Sequence, residues 1–250
     1  MIQFLTISII LLSTSLAQAK VFNLSKQTVS TFLRGSYATP TIGSGAYSDS
    51  SGNATTGFSK EASYNTTGEF GLFFTTPMMG IRFSYEFLQA QPLEGVSAGA
   101  SSTEYMTIDS RVVAKIPKIG FEFGFATDNN SKYYLNLNFG YAQVELVNDY
   151  SFTGASPYGV GDYTERGEST IVMGDISLGW EYNFSEDSTL LVDAGYRVMT
   201  INRLTHTAAT TTINGGVTAG DALTNNDSTD RAIDLSGAYI GLGFRFYINY

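Results

Sequence analysis

Asp234-Leu235-Ser236-Gly237-Ala238-Tyr239-Ile240-Gly241-Leu242-Gly243-Phe244-Arg245-Phe246-Tyr247-Ile248-Asn249-Tyr250 ends the sequence and decides how the rest of it is read. From Ile240 onward every even position is apolar: Ile240, Leu242, Phe244, Phe246, Ile248 and Tyr250. The odd positions Tyr239, Gly241, Gly243, Arg245, Tyr247 and Asn249 are small, polar or amphipathic. Successive side chains of an extended chain point to opposite faces, so period two gives a strand with one greasy face. The greasy face runs to the final aromatic, where a strand of a soluble sandwich seldom stops.

The opposite end carries an uncharged apolar run over residues 4–16, then Ala17-Gln18-Ala19 and Lys20. An apolar run before an A-x-A site predicts a secretory signal peptide, residues 1–19, cleaved after Ala19. The segment before the run, Met1-Ile2-Gln3, has no Lys or Arg. A membrane anchor is the rival reading, but about 13 apolar residues are too few to cross a hydrocarbon core of about 30 Å. No later stretch reaches 18 uninterrupted apolar residues, so no transmembrane helix is expected. The mean hydropathy is near zero despite 16 Tyr and 17 Phe, because alternation hides hydrophobicity in an average. There is no Cys, which excludes a disulfide framework and a lipid-modified cysteine. The formal net charge of -9 argues against nucleic acid and against a basic patch on anionic lipid. Residues 20–250 are read as one domain.

Alternating segments recur between two kinds of connection. Long connections rich in Gly, Ser, Thr and Asn span 40–62, 92–102, 148–168 and 202–232; short ones span 76–79, 128–131 and 185–188. Long and short alternate, as in an all-β, closed up-and-down antiparallel transmembrane barrel of eight strands. Phasing sets Phe70, Leu72 and Phe74 outward in the second strand, and Ile81, Phe83, Tyr85 and Phe87 in the third. Tyr133 to Tyr141, Val172 to Phe184 and Leu190 to Val198 alternate likewise, and the first strand sends Leu33 and Tyr37 out with Arg34 in. The fourth strand, 105–126, is apolar at even positions (Met106, Ile108, Val112, Ala114) before Ile116-Pro117-Lys118, and at odd positions (Ile119, Phe121, Phe123, Phe125) after it. A β-bulge at Pro117 would produce that one-residue change of phase and would accept the proline. A hairpin there is the alternative; it would add a strand, move the 148–168 connection to the side of the short turns and break the loop pattern, leaving the count open between eight and ten.

The inward positions so assigned carry Arg34, Glu69, Arg82, Glu86, Asp109, Arg111, Lys115, Glu122, Asp175, Glu181, Asp193, Arg197 and Arg245. An eight-stranded interior is only just wide enough for side chains to fill. Charges of both signs packed there should pair into a plug, since an unpaired one is costly to bury; a selectivity filter is the other reading. Aromatic girdles are expected from Phe74, Phe125, Tyr133, Phe184 and Tyr250 at one end and Tyr64, Phe87, Tyr141 and Tyr239 at the other. Asp149, Asp162, Glu165 and Glu168 fall in the third long connection and Asp221, Asp227 and Asp230 in the fourth. They are read as solvated surface charge, with cation bridging to lipid phosphates as the alternative. No calcium-loop spacing, P-loop, nucleophile elbow or zinc cluster occurs, so no metal, cofactor or catalytic residue is expected. The single His, His206, has no motif around it.

The closing strand, with Gly243, Phe246, Ile248 and Tyr250 at set intervals, resembles the closing strands of bacterial outer-membrane β-barrels. The whole mature chain is similar to the small eight-stranded group of the OmpA transmembrane domain, OmpX and OmpW. The stretch Phe32-Leu33-Arg34-Gly35-Ser36-Tyr37-Ala38-Thr39-Pro40 resembles an OmpW-type opening strand. The resemblance implies an integral outer-membrane location, long loops outside and short turns in the periplasm. It implies that barrel-assembly machinery reads Gly243, Phe246, Ile248 and Tyr250. Outer-membrane lipid, lipopolysaccharide and an unidentified extracellular loop ligand are the implied partners, and nucleic acid is not. A structural or surface role is expected; a narrow pore for small or hydrophobic solutes and a lipid-modifying enzyme or protease are alternatives.

Overall fold

The computed structural model describes residues 29–40, 54–58, 63–75, 79–99, 103–127, 130–185, 187–224 and 228–248. The expected signal peptide with Ala17 and Ala19, and Tyr250 of the closing strand, lie outside the described residues. Eight long antiparallel strands form the wall: β1 (Val29–Pro40), β2 (Asn65–Thr75), β3 (Met79–Ala90), β4 (Glu104–Thr127), β5 (Ser131–Phe152), β6 (Tyr163–Ser185), β7 (Ser188–Val198) and β8 (Gly237–Tyr247). Each pairs with its sequence neighbours, and β8 returns to β1 with Arg34 opposite Gly243 and Thr39 opposite Ala238. The ring is therefore closed and has no free edge at this level.

The wall is uneven in height. Strands β4, β5 and β6 run 22 to 24 residues, whereas the other five run 11 or 12. The tall side is extended by Leu93–Gly99, which pairs with β4, by Ala54–Phe58 beside it, and by Thr205–His206 on β6. The predicted connection 148–168 is thus mostly strand, and only 153–162 link β5 to β6.

Around the lower wall, 26 large apolar side chains among the described residues point outward and are exposed, among them Leu33, Phe70, Phe83, Phe125, Phe139, Leu178, Ile240 and Phe246. Removing each from water is worth about 1.5–3 kcal/mol. In water the belt would forfeit tens of kcal/mol, well beyond the roughly 5–15 kcal/mol of a domain's whole stability. The belt is a lipid-facing surface.

No bulge interrupts β4 at Pro117. Pro117 lies opposite Tyr85, and the pairs Lys115–Gln143 and Lys118–Gly140 flank it in one unbroken register. The shift in register lies further on, between Gly124 and Ala126. Even positions face the interior along the strand: Val112, Ala114 and Ile116 above Pro117, Lys118 and Glu122 below it, all buried. What inverts is chemistry, not geometry. Below Pro117 the wall is apolar outside and charged inside, because lipid lies outside. Above it the wall is polar outside and apolar inside, because water does.

Three expected lumen charges are corrected by this. Asp109, Arg111 and Lys115 occupy odd positions above the boundary and are exposed on the outer wall; Arg111 pairs there with Asp149 at 2.8 Å. Tyr239, expected in an aromatic girdle, is buried in the lumen and donates a hydrogen bond to Asp175.

Candidate functional site

The lumen below the boundary is filled by two ionic layers. Nearer the short turns, Arg245 donates to Glu122 at 2.7 Å and to Glu181 at 2.8 Å. Lys132 also pairs with Glu122, while Thr189 and Tyr247 donate to Glu181. Across mid-barrel, Arg34 bridges Asp193 at 2.8 Å and Glu69 at 3.0 Å. Glu69 accepts from Ser84 at 2.6 Å and pairs with Arg82 at 3.3 Å. Lys118 stands 2.8 Å from Glu86, 3.0 Å from Asp175 and 3.6 Å from Glu69, and Arg197 reaches Glu86. Phe32, Phe73, Tyr134 and Leu191 pack into a buried apolar cluster within this charged lumen. Arg82 lies 4.3 Å from the Phe32 ring centre and Arg245 4.0 Å from that of Phe73.

Among the described residues each layer is neutral. Mid-barrel, Arg34, Arg82, Lys118 and Arg197 face Glu69, Glu86, Asp175 and Asp193; below, Lys132 and Arg245 face Glu122 and Glu181. A buried charge is tolerable only when paired and hydrogen-bonded, and here all twelve have an opposite partner within 4 Å. Backbone placement assists: the space a Cβ on Gly241 would take is filled by the Asp193 carboxylate and the Arg34 guanidinium.

Ten of the expected interior charges thus come together here: Arg34, Glu69, Arg82, Glu86, Glu122, Asp175, Glu181, Asp193, Arg197 and Arg245. Lys118 and Lys132 were missed. The bulge expected at Pro117 hides Lys118, and Lys132 lies one residue before the alternating stretch from Tyr133 to Tyr141. Simple parity with Glu122 and Asn136 would have found both. Gly243 faces inward against Arg34, while Phe246 and Ile248 point out of the wall.

Above the boundary lies an apolar chamber filled by packed side chains. Leu88, Val112, Ile116, Val144, Leu146 and Met173 line it from β3 to β6. Met199, Ile201, Leu204, Leu223, Ile233 and Leu235 of the fourth loop fold in and complete the cluster. Beyond it sits a buried polar knot missed in sequence, where Glu165 and His206 read as loop residues. Glu165 accepts from Arg231 at 2.5 Å, Tyr150 at 3.2 Å and Asn148 at 3.4 Å, with His206 Nε2 3.9 Å away. Burial holds the His206 imidazole below its ordinary value; the Arg231 charge adds to this, and Glu165 and Asp221 oppose it. Asp221 itself is held low by hydrogen bonds from the Thr218 amide and hydroxyl. Stacked Tyr150 and Tyr163, with Phe152 and Tyr158, cap the tip.

A closed ring, a lipid-facing belt and a self-neutralised lumen now stand together. The chain is a closed β-barrel that spans a membrane. No family model matches it, and no curated protein does either. Among solved structures it is similar to the outer membrane protein OprG of Pseudomonas aeruginosa, at 12% identity over 90% of this chain and 98% of that one, TM-score 0.43. It is similar to Ail, the attachment invasion locus protein of Yersinia pestis, at 12% identity over 88% and 99%, TM-score 0.39. It is also similar to the outer membrane protease OmpT of Escherichia coli, at 9% identity over 94% and 100%, TM-score 0.42. The architecture described above rests on the barrel's own strand pairing.

Proposed function

We propose that this barrel is a closed, non-conducting outer-membrane protein whose tall extracellular wall and loops form its working surface. The observation that carries this is the stacked lumen: two neutral ionic layers beneath an apolar chamber filled by the barrel's own fourth loop. An ion entering the chamber would lose its hydration with no unpaired counter-charge in the layers beneath to replace it. Among solved structures of similar fold is a protease, yet a non-enzymatic role is favoured here. His206 is buried with Glu165 under the loop, beyond reach of a surface substrate.

The proposed partners follow from position. Gly243, Phe246, Ile248 and Tyr250 would present the closing strand to barrel-assembly machinery. Outer-membrane lipid covers the belt. Lipopolysaccharide phosphate meets Lys115, which is exposed one rung above the outward Tyr85 and Tyr141. Among the described Lys and Arg residues, Lys115 alone has no carboxylate within 4 Å. An extracellular ligand would be met by the loops.

Planar-bilayer recording tests the closed lumen. The expected trace is flat at neutral pH with the purified barrel inserted. Reproducible unitary steps would favour a narrow pore instead.

A further inference from the structure

We propose that the fourth loop is a lid, held shut through the Glu165–His206–Arg231 knot and released by mild acid. The loop leaves β7 at Met199 and regains β8 at Gly237. Its two arms are zipped by backbone bonds: His206 N–H to Asp221, Gly220 N–H to His206, Leu223 N–H to Leu204, and Arg231 N–H to Leu223. Thr205–His206 adds to β6 opposite Glu168 and Gly167, and Thr207 N–H donates to Arg166. The lid side chains Leu204 and Leu223 press on Gly167, where a Cβ would fall 2.7 Å from a Leu223 methyl.

Glu165 holds both arms. It is ion-paired to Arg231 on the returning arm and faces His206 on the outgoing one. The groups around the imidazole are Glu165 of β6, Arg231, and Asp221, whose carbonyl accepts the His206 amide; Tyr150 of β5 reaches it through Glu165. Glu168 and Arg166, next along β6, are exposed on the outer face. With His206 neutral, Glu165 and Arg231 form the buried ion pair at its side. A proton on His206 adds a buried cation beside the Arg231 guanidinium, and its Nδ1 is buried without a hydrogen-bond partner.

The sign follows from linkage. Closure depresses the His206 pKa, burial being the main cause, whereas in an open arm the imidazole titrates near its ordinary value of about 6.5. The open lid therefore binds the proton more tightly. Closure is at full strength above about pH 6.5 and weakens as pH falls through that value. The closed-to-open ratio drops up to tenfold for each pH unit by which closure depresses the imidazole, levelling off below the closed-state pKa. Opening withdraws Ile201, Leu204, Leu223 and Ile233 and uncovers the apolar chamber to the outside.

Amide exchange of Gly220, Leu223 and Arg231, in phosphatidylcholine nanodiscs at pH 7.5 and 5.5 and normalised to intrinsic rates, tests the lid. Wild type is expected to exchange several-fold faster at the lower pH, and His206→Gln to lose that difference. Gly167→Leu, which takes the seat of Leu223, is expected to exchange fast at both pH values. An equal acid response in His206→Gln, or none in wild type, would overturn the proposal. Should His206→Gln fail to fold, the chain's one imidazole can be titrated by NMR in wild type. A midpoint below 6.5 supports the lid, and one at or above 6.5 overturns it.

Discussion

Glu69→Gln is the most searching perturbation of the lumen. The substitution keeps the shape of the side chain and removes one charge. Glu69 is fully buried and faces Arg34 at 3.0 Å, Arg82 at 3.3 Å and Lys118 at 3.6 Å. Its loss leaves four cations facing three carboxylates mid-barrel. Breaking a buried ion pair from one side costs about 3–5 kcal/mol, because the surviving charge keeps its desolvation penalty. Adding Lys118→Met restores neutrality at three against three. The double variant should therefore lose less than the sum of the singles, by a coupling energy of about 0.5–3 kcal/mol. Urea unfolding of the barrel in lipid vesicles, followed by the gel shift between folded and unfolded forms, measures all four corners of the cycle. A loss below about 1 kcal/mol in Glu69→Gln would match an exposed pair rather than a buried one. That result, or strict additivity in the double variant, would refute the reasoning.

Other expectations rest on single positions. Val144→Asp puts an unpaired charge into the packed apolar chamber and should cost at least about 3 kcal/mol, whereas Glu145→Val, next along β5 and facing water, should cost no more than about 1 kcal/mol by the same unfolding assay. Gly241→Ala must displace the Arg34–Asp193 pair and should lose about 1–3 kcal/mol, while Gly68→Ala, with nothing within 4 Å, should be within about 0.5 kcal/mol of wild type. Lys115→Ala should weaken binding of bisphosphorylated lipid A to the nanodisc-embedded barrel about fivefold, the worth of one cation near a charged surface, with Lys115→Arg unchanged. Equal lipid A affinity in Lys115→Glu and wild type would remove Lys115 from the partner surface.

Much of the barrel was legible in the sequence because alternation is a local signal. The eight strands and the outward phase of Phe70, Phe83, Phe139, Leu178 and Phe246 follow from period two alone. What period two cannot give is which face looks inward. It groups Met106, Ile108, Val112 and Ala114 on one face and Ile119, Phe121, Phe123 and Phe125 on the other, and both groups are apolar. Assuming lipid outside the whole strand forces a bulge between them. The assumption fails because a tall wall passes from lipid into water, where the same parity must carry the opposite polarity. That one reason puts Asp109, Arg111 and Lys115 on the outer wall rather than in the lumen, and it masks the strand pairing of 148–152 and 163–168 in the sequence. The His206 knot was illegible for a different reason. Glu165 and Arg231 lie 66 residues apart, and only the folding of the fourth loop over the mouth brings them together.

The change of solvent along an unbroken β4 can be measured directly. The sequence has no cysteine, so single cysteines carry spin labels without background. Labels at outward positions 111, 113, 115, 119, 121, 123 and 125 can be scored for collision with oxygen, which concentrates in lipid, and with a polar nickel complex, which stays in water. Oxygen should dominate from 119 to 125 and nickel from 111 to 115, with the crossover at Pro117. Labels at 112, 114 and 116 should be shielded from both. Strong oxygen contact at 112 and 114 would instead put those residues in lipid, restore the bulge at Pro117, and contradict the inverted wall on which the closed lumen and its lid depend.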